Sequence, residues 1–143
     1  MKVYFSASLS KTQNLMPVKQ DLGRIITDLS HVITSQHVLD PETTAKSDWE
    51  HDYEPAELYR REIDRLEEAE VLVTEVTVPS FGAAFLIDKM LELKKPLLTL
   101  HYGDWQHVPL MLRGRAKEIN LHIYTEDTAR EIINNFFKNL TKV

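Results

Sequence analysis

The 143-residue chain contains no cysteine, which removes disulfides, thiolate metal sites and a cysteine nucleophile from consideration. It has only four glycines, and they do not form the spaced set of a dinucleotide fingerprint or a Walker loop. No G-x-S-x-G elbow occurs, which argues against a hydrolase serine of that kind. The six histidines, His31, His37, His51, His101, His107 and His122, match no HExxH or comparable pattern. Neither a metal nor another cofactor is therefore expected. No apolar run approaches the ~20 residues needed to span a bilayer, and the opening MKVYFSASLS enters a strand directly, with too short an apolar part for a signal peptide. A basic stripe is also missing. With 22 acidic against 17 basic residues and a net charge of -5, neither nucleic acid nor a membrane is the expected partner. The expectation is a soluble cytoplasmic protein.

What is present is an ordinary globular composition, 43% hydrophobic and 27% charged, at a length that fits one domain over residues 1–143. The organising stretch is Val71 to Leu93, VLVTEVTVPSFGAAFLIDKMLEL. An apolar run closes at Glu75 and Thr77, breaks at Pro79, Ser80 and Gly82, and resumes with apolar residues at helical spacing. That is a strand, a tight turn and a helix. Ligands of open α/β sheets bind beyond the carboxyl ends of strands, where helix N-termini offer free N–H groups, so the turn Val78 to Gly82 is the first site candidate.

Around it, Lys2 to Phe5 reads as a strand followed by the small residues Ser6, Ala7, Ser8 and Ser10. Leu15, Val18, Leu22, Ile25, Ile26 and Leu29 then form one face of a helix. His31 to Val38 reads as a second strand, and Asp40 to Pro55, with Trp49, His51, Asp52 and Tyr53, as a long functional or mobile loop. Glu54 to Ala69 is a helix with a solvated charged face; Leu97 to Leu100 is a strand after Pro96. Val108 to Arg115 reads as a short helix, Leu121 to Tyr124 as the last strand, and Asp127 to Leu140 as a closing helix capped by Asp127 or Thr125. Five strands alternating with helices give an α/β single-domain three-layer sandwich with a five-stranded parallel sheet, flavodoxin-like or Rossmann-like.

The segment YRREIDRLEEAEVLVTEVTVPSFGAAFLIDKMLELKKP, beginning at Tyr59, resembles the nucleoside 2-deoxyribosyltransferase family, and within it the branch of 2'-deoxynucleoside 5'-phosphate N-hydrolases. The opening Val3 to Ser8 is similar to that branch's first strand and loop, and Met111 to Gly114 to its later M-I-R-G. The resemblance implies chemistry at an N-glycosidic bond, in which a carboxylate attacks the anomeric carbon and water or a second base resolves the intermediate. It implies Tyr4 near the sugar, Ser80 on the 5'-phosphate, and Ser6, Ala7, Ser8 and Gly82 lining the substrate. Glu62 stands at the family's assisting aspartate. At the nucleophilic glutamate, however, the chain has Leu86, and the glycine two residues earlier is Ala84; Ala7 replaces a loop glycine and Pro109 a second phosphate-contacting serine.

Leucine cannot attack a carbon. Asp88 lies roughly 200° around the helix from Leu86 and should point away, and Glu75 has a supporting role, so Glu62 is the better substitute carboxylate. Three functions stay open: a nucleoside 5'-monophosphate-binding protein with an impaired site, an active N-glycosidase using Glu62 with Tyr4, and an interaction subunit whose old pocket Leu86 fills. Leu86, Met90 and Leu93 lie beyond the core set Ala83, Ile87 and Leu91, and in this family such surface forms subunit contacts; the resemblance thus implies a homodimer.

Overall fold

A computed structural model describes residues 1–8, 15–46 and 51–142. Ser10 and Trp49, singled out above, lie outside the described residues. The strands are β1 Lys2–Ser6, β2 Val32–Ile33, β3 Val71–Glu75, β4 Leu97–Tyr102 and β5 Leu121–Tyr124. The helices are α1 Met16–Asp28, α2 Pro41–Ala45, α3 Pro55–Glu68, α4 Phe81–Glu92, α5 Leu110–Gly114 and α6 Ala129–Leu140. All strand pairs are parallel, in the order β2-β1-β3-β4-β5. The order reverses direction between β1 and β3, the position at which open sheets of this kind hold ligands.

Strand alternation sorts the side chains into two cores. Val3, Phe5, Val71, Val73, Leu98 and Leu100 face α1 and α6, where Leu22, Ile26, Ile133 and Phe137 cover them. Tyr4, Leu72 and Leu97 face the other way and are covered by Leu66 of α3 and by Ile87 and Met90 of α4. Both faces are thus closed, which explains the nearly continuous apolar run of β3.

Several expectations need correction. The second strand is only two residues long. After Ile33 the ladder is taken over by a side chain: the buried Ser35 hydroxyl accepts from the Phe5 N–H at 2.8 Å and donates to the Phe5 carbonyl at 2.6 Å, and a 3₁₀ turn, Gln36–Leu39, follows. The expected long loop contains α2, capped by Asp40, whose carboxylate accepts from the N–H groups of Glu42 and Thr43. Residue Thr128, rather than Asp127 or Thr125, occupies the cap position of α6. Met90 belongs to the buried set of α4, and Leu91 is only partly covered.

Candidate functional site

The side chains of interest gather at the carboxyl end of β1, on the α3 and α4 side of the sheet. Tyr4 points to that side and donates its hydroxyl to Oε2 of Glu62 on α3. The chain reaches this geometry because Glu54 caps α3, accepting from the Ala56 and Glu57 N–H groups, and Pro55 begins the helix, so Glu62 lies two turns in. Glu62 keeps 17% of its side chain exposed. Its other oxygen accepts from Arg65 Nη1 at 2.9 Å and from Arg61 Nε at 3.4 Å.

His37, from the 3₁₀ turn, completes the cluster. Arg65 has only donors, so its contact to His37 Nδ1 at 3.3 Å makes that nitrogen the acceptor and leaves the proton on Nε2, which faces Glu62 Oε2 at 3.4 Å. Burial pulls the imidazole below its usual value and the two guanidinium groups add to this, against the pull of Glu62. The Tyr4 phenol is held far above its ordinary value, first by burial and then by the Glu62 carboxylate, and remains a donor. Glu62 therefore has four donors facing its two oxygens.

Opposite this cluster stands α4. Ser80 caps it, Oγ accepting from the Ala83 N–H at 3.2 Å, which leaves the hydroxyl proton and the first N–H groups of α4 for another acceptor. Between the two walls lies a cavity of about 570 Å³. Tyr4, Ser6, Ala7, Ser8, His37, Arg61, Glu62, Ser80, Gly82, Phe85 and Leu86 all line it. Tyr4, Glu62, Ser6, Ala7, Ser8, Ser80, Gly82 and Leu86 are thus brought to one space, whereas Ala84 and Pro109 line a separate groove. Leu86 and Phe85 are walls of the cavity and do not fill it. Asp88 points away, as expected, and pairs with Arg115 at 2.7 Å.

Glu75 does not join them. It ends β3 in the same alternation as Val71 and Val73 and so faces α1 and α6, opposite to Tyr4. There it is 3% exposed, accepts from the Thr77 N–H at 3.0 Å and from the Thr77 hydroxyl, and is pushed above the usual carboxylate range by burial. The Tyr124 hydroxyl, also buried nearby, has no hydrogen-bond partner among the described residues.

Sequence reading missed His37, Arg61 and Arg65 as members of the site. His37 fell within an expected strand, and the arginines were indistinguishable from the charged face of their helix. At the cavity mouth, Tyr53 stacks on His51 at 4.8 Å between centroids and carries the Arg61 guanidinium 5.5 Å from its ring centre. Among the described residues no three His, Asp or Glu side chains are grouped to hold a metal ion, and no helix is long and apolar enough to cross a membrane.

No family model matches the chain. Individual relatives do. A protein of Thermofilum pendens with the provisional name 2'-deoxynucleoside 5'-phosphate N-hydrolase 1 is 33% identical over 115 residues, 80% of this chain and 78% of that one. A Methanosarcina mazei protein of the same provisional name is 28% identical over 139 residues, 96% of this chain and 84% of its own. The 5-hydroxymethyl-dUMP N-hydrolase of Danio rerio is 25% identical over 145 residues and covers 99% of each. In fold, the chain is similar to a Clostridium botulinum CMP N-glycosidase, with a TM-score of 0.67 at 16% identity over 95% of this chain and 99% of that one. At the identity and coverage of the Thermofilum protein, the relation extends to the family itself: the chain belongs to the 2'-deoxynucleoside 5'-phosphate N-hydrolases.

Proposed function

We propose that this chain binds a nucleoside 5'-monophosphate in the cavity between α3 and α4 and cleaves it poorly or not at all. One observation carries the reading. Among the described residues, the one carboxylate lining the cavity, Glu62, has both oxygens engaged by Tyr4, His37, Arg61 and Arg65, while the wall at the family's nucleophile position is the side chain of Leu86. Attack at an anomeric carbon, or deprotonation of a water, requires a free carboxylate lone pair near the sugar. Neither wall supplies one.

Binding needs less. The Ser80 hydroxyl and the first turn of α4 offer donors to a phosphate, and the helix dipole favours its charge. Against the negative charge of Glu62 the described surroundings set Arg61 and Arg65, so the cavity suits an anion. Tyr4, Ser6 and Ser8 form the floor, and Leu86 and Phe85 give an apolar wall for a base or sugar edge. Relatives named for 2'-deoxynucleoside 5'-phosphates and for 5-hydroxymethyl-dUMP make a nucleotide the ligand class of choice. Calorimetric titration with a panel of ribo- and deoxyribonucleoside 5'-monophosphates tests this: saturable binding of at least one is expected, and a flat response to all contradicts it.

A second reading, an active N-glycosidase using Glu62 and Tyr4, is favoured by the contact of these two residues inside the cavity. It requires base release that disappears in Glu62→Gln. An interaction subunit whose pocket Leu86 fills is disfavoured by the open cavity. A homodimer is part of the proposal, because Phe81, Phe85, Leu110 and Met111 are exposed around a smaller apolar groove between α4 and α5. Light scattering at micromolar concentration should give twice the 16.6 kDa chain mass.

A further inference from the structure

Lysine 19 sits where packing alone would choose a leucine. It occupies the buried stripe of α1 with Met16, Leu22, Gly23 and Ile26, and is 1% exposed. A charge withdrawn from water to this degree is costly unless compensated. Two compensations are visible among the described residues. The ammonium donates to the backbone carbonyl of Ser8, and it lies in the field of the Glu75 carboxylate, which is 3% exposed at the end of β3. Ser8 itself belongs to the floor of the cavity on the opposite side of the sheet.

We infer that Lys19 and Glu75 form a positioning pair that sets the floor of the ligand cavity from behind the sheet, by holding the Ser8 carbonyl toward α1. The inference rests on the proposed function for its ligand, an anionic nucleotide. A carbonyl oxygen turned into the cavity would repel a phosphate; one drawn toward an ammonium on the far side cannot. Glu75 makes the arrangement tolerable by lowering the cost of the buried cation, and Thr77 fixes Glu75 in turn: its N–H and hydroxyl donate to the carboxylate, and its Oγ accepts the Tyr102 N–H at 2.8 Å. The ends of β1, β3 and β4 are thereby tied to one charge-balanced cluster. Neither member of the pair lines the cavity, so both act through Ser8 and neither is a catalytic residue.

The test separates positioning from stability. Lys19→Met alone leaves Glu75 buried without its cation and should lower the melting temperature by about 10 °C. The double variant Lys19→Met/Glu75→Gln is neutral, keeps an acceptor for Thr77, and should recover most of that loss. If the pair positions the floor, the double variant still binds a nucleoside 5'-monophosphate about tenfold or more weakly than wild type, the scale of one misplaced hydrogen-bonding group. Its backbone amides over residues 4–8 also exchange with solvent about tenfold faster than in the wild type, whereas those of β4 do not change. Recovered stability with wild-type affinity and wild-type exchange at residues 4–8 overturns the inference. If wild type itself binds no nucleotide, the proposed function fails, and the exchange measurement alone still decides whether the pair holds the floor.

Discussion

The chain carries two inward-facing glutamates on opposite faces of one sheet, and they are managed differently. Glu62, beside the cavity, is surrounded by donors: a phenol, an imidazole N–H and two guanidinium groups. Glu75, behind the sheet, accepts from the Thr77 N–H and hydroxyl, with Lys19 and Tyr124 nearby, and burial pushes its carboxyl upward. The difference shows what each can do. A carboxylate with both oxygens engaged is a fixed charge that shapes a pocket, and a deeply buried one bonded to Thr77 anchors the turn after β3. On the proposed reading, neither serves as the free base that glycosidic cleavage asks for.

The largest expected effect comes from supplying what both lack. Leu86→Glu puts a carboxylate on the cavity wall without disturbing Glu62, and release of free base from a bound nucleoside 5'-monophosphate should rise by on the order of 100-fold or more over wild type. No rise in a folded, nucleotide-binding variant would mean that Leu86 does not face the sugar.

Breaking the Glu62 cluster is the next test. Glu62→Leu strands the Tyr4 hydroxyl and leaves Arg65 facing a partly buried apolar group, and should cost about 3 kcal/mol in denaturant unfolding. Tyr4→Phe removes one donor of the four and should cost about 2 kcal/mol, the range of a hydrogen bond to a charged group. In a double-mutant cycle the two should not be additive, because they share one contact.

On the α4 wall, Ser80→Ala removes the cap and should cost about 1 kcal/mol, together with part of the nucleotide affinity. Ser80→Asp keeps a capping oxygen but sets a negative charge against the phosphate. Stability near wild type with affinity well below it would separate the two roles; equal losses of both would merge them.

The smallest effect is a pH dependence. Burial holds His37 and His101 below their usual value of 6.5 in the folded chain. Between that lowered value and 6.5 the unfolded chain binds more protons than the folded one, so stability rises with pH in this window and falls as pH drops below about 6.5. The melting temperature should decline from pH 7 to pH 5, and less steeply in His37→Asn.

Much of this was legible in the residues. Val71–Glu75, Leu121–Tyr124 and the two long helices after Pro55 and Ser80 follow from apolar spacing bounded by proline, serine and charge, because those patterns act locally. The gathering of Tyr4, Glu62, Ser80 and Leu86 was legible only through the resemblance to the deoxyribosyltransferase family, not through local spacing. What was not legible depended on contacts distant in sequence. Val32 and Ile33 start a strand that Ser35 ends by bonding to Phe5, a partner 30 residues away. Lys19 interrupts an otherwise apolar stripe, yet its burial is decided by Ser8 and Glu75. That Tyr4 and Glu75 lie on opposite faces follows from strand register, which a single strand does not reveal.

The most direct test of the central claim is one incubation read in two ways: wild-type protein at high concentration with nucleoside 5'-monophosphates overnight, analysed for free base by chromatography and for retained ligand by calorimetry. A bound nucleotide recovered intact, with no base above the protein-free control, is the expected result. Base release that exceeds the control and is abolished in Glu62→Gln would contradict it and make the chain an active N-glycosidase.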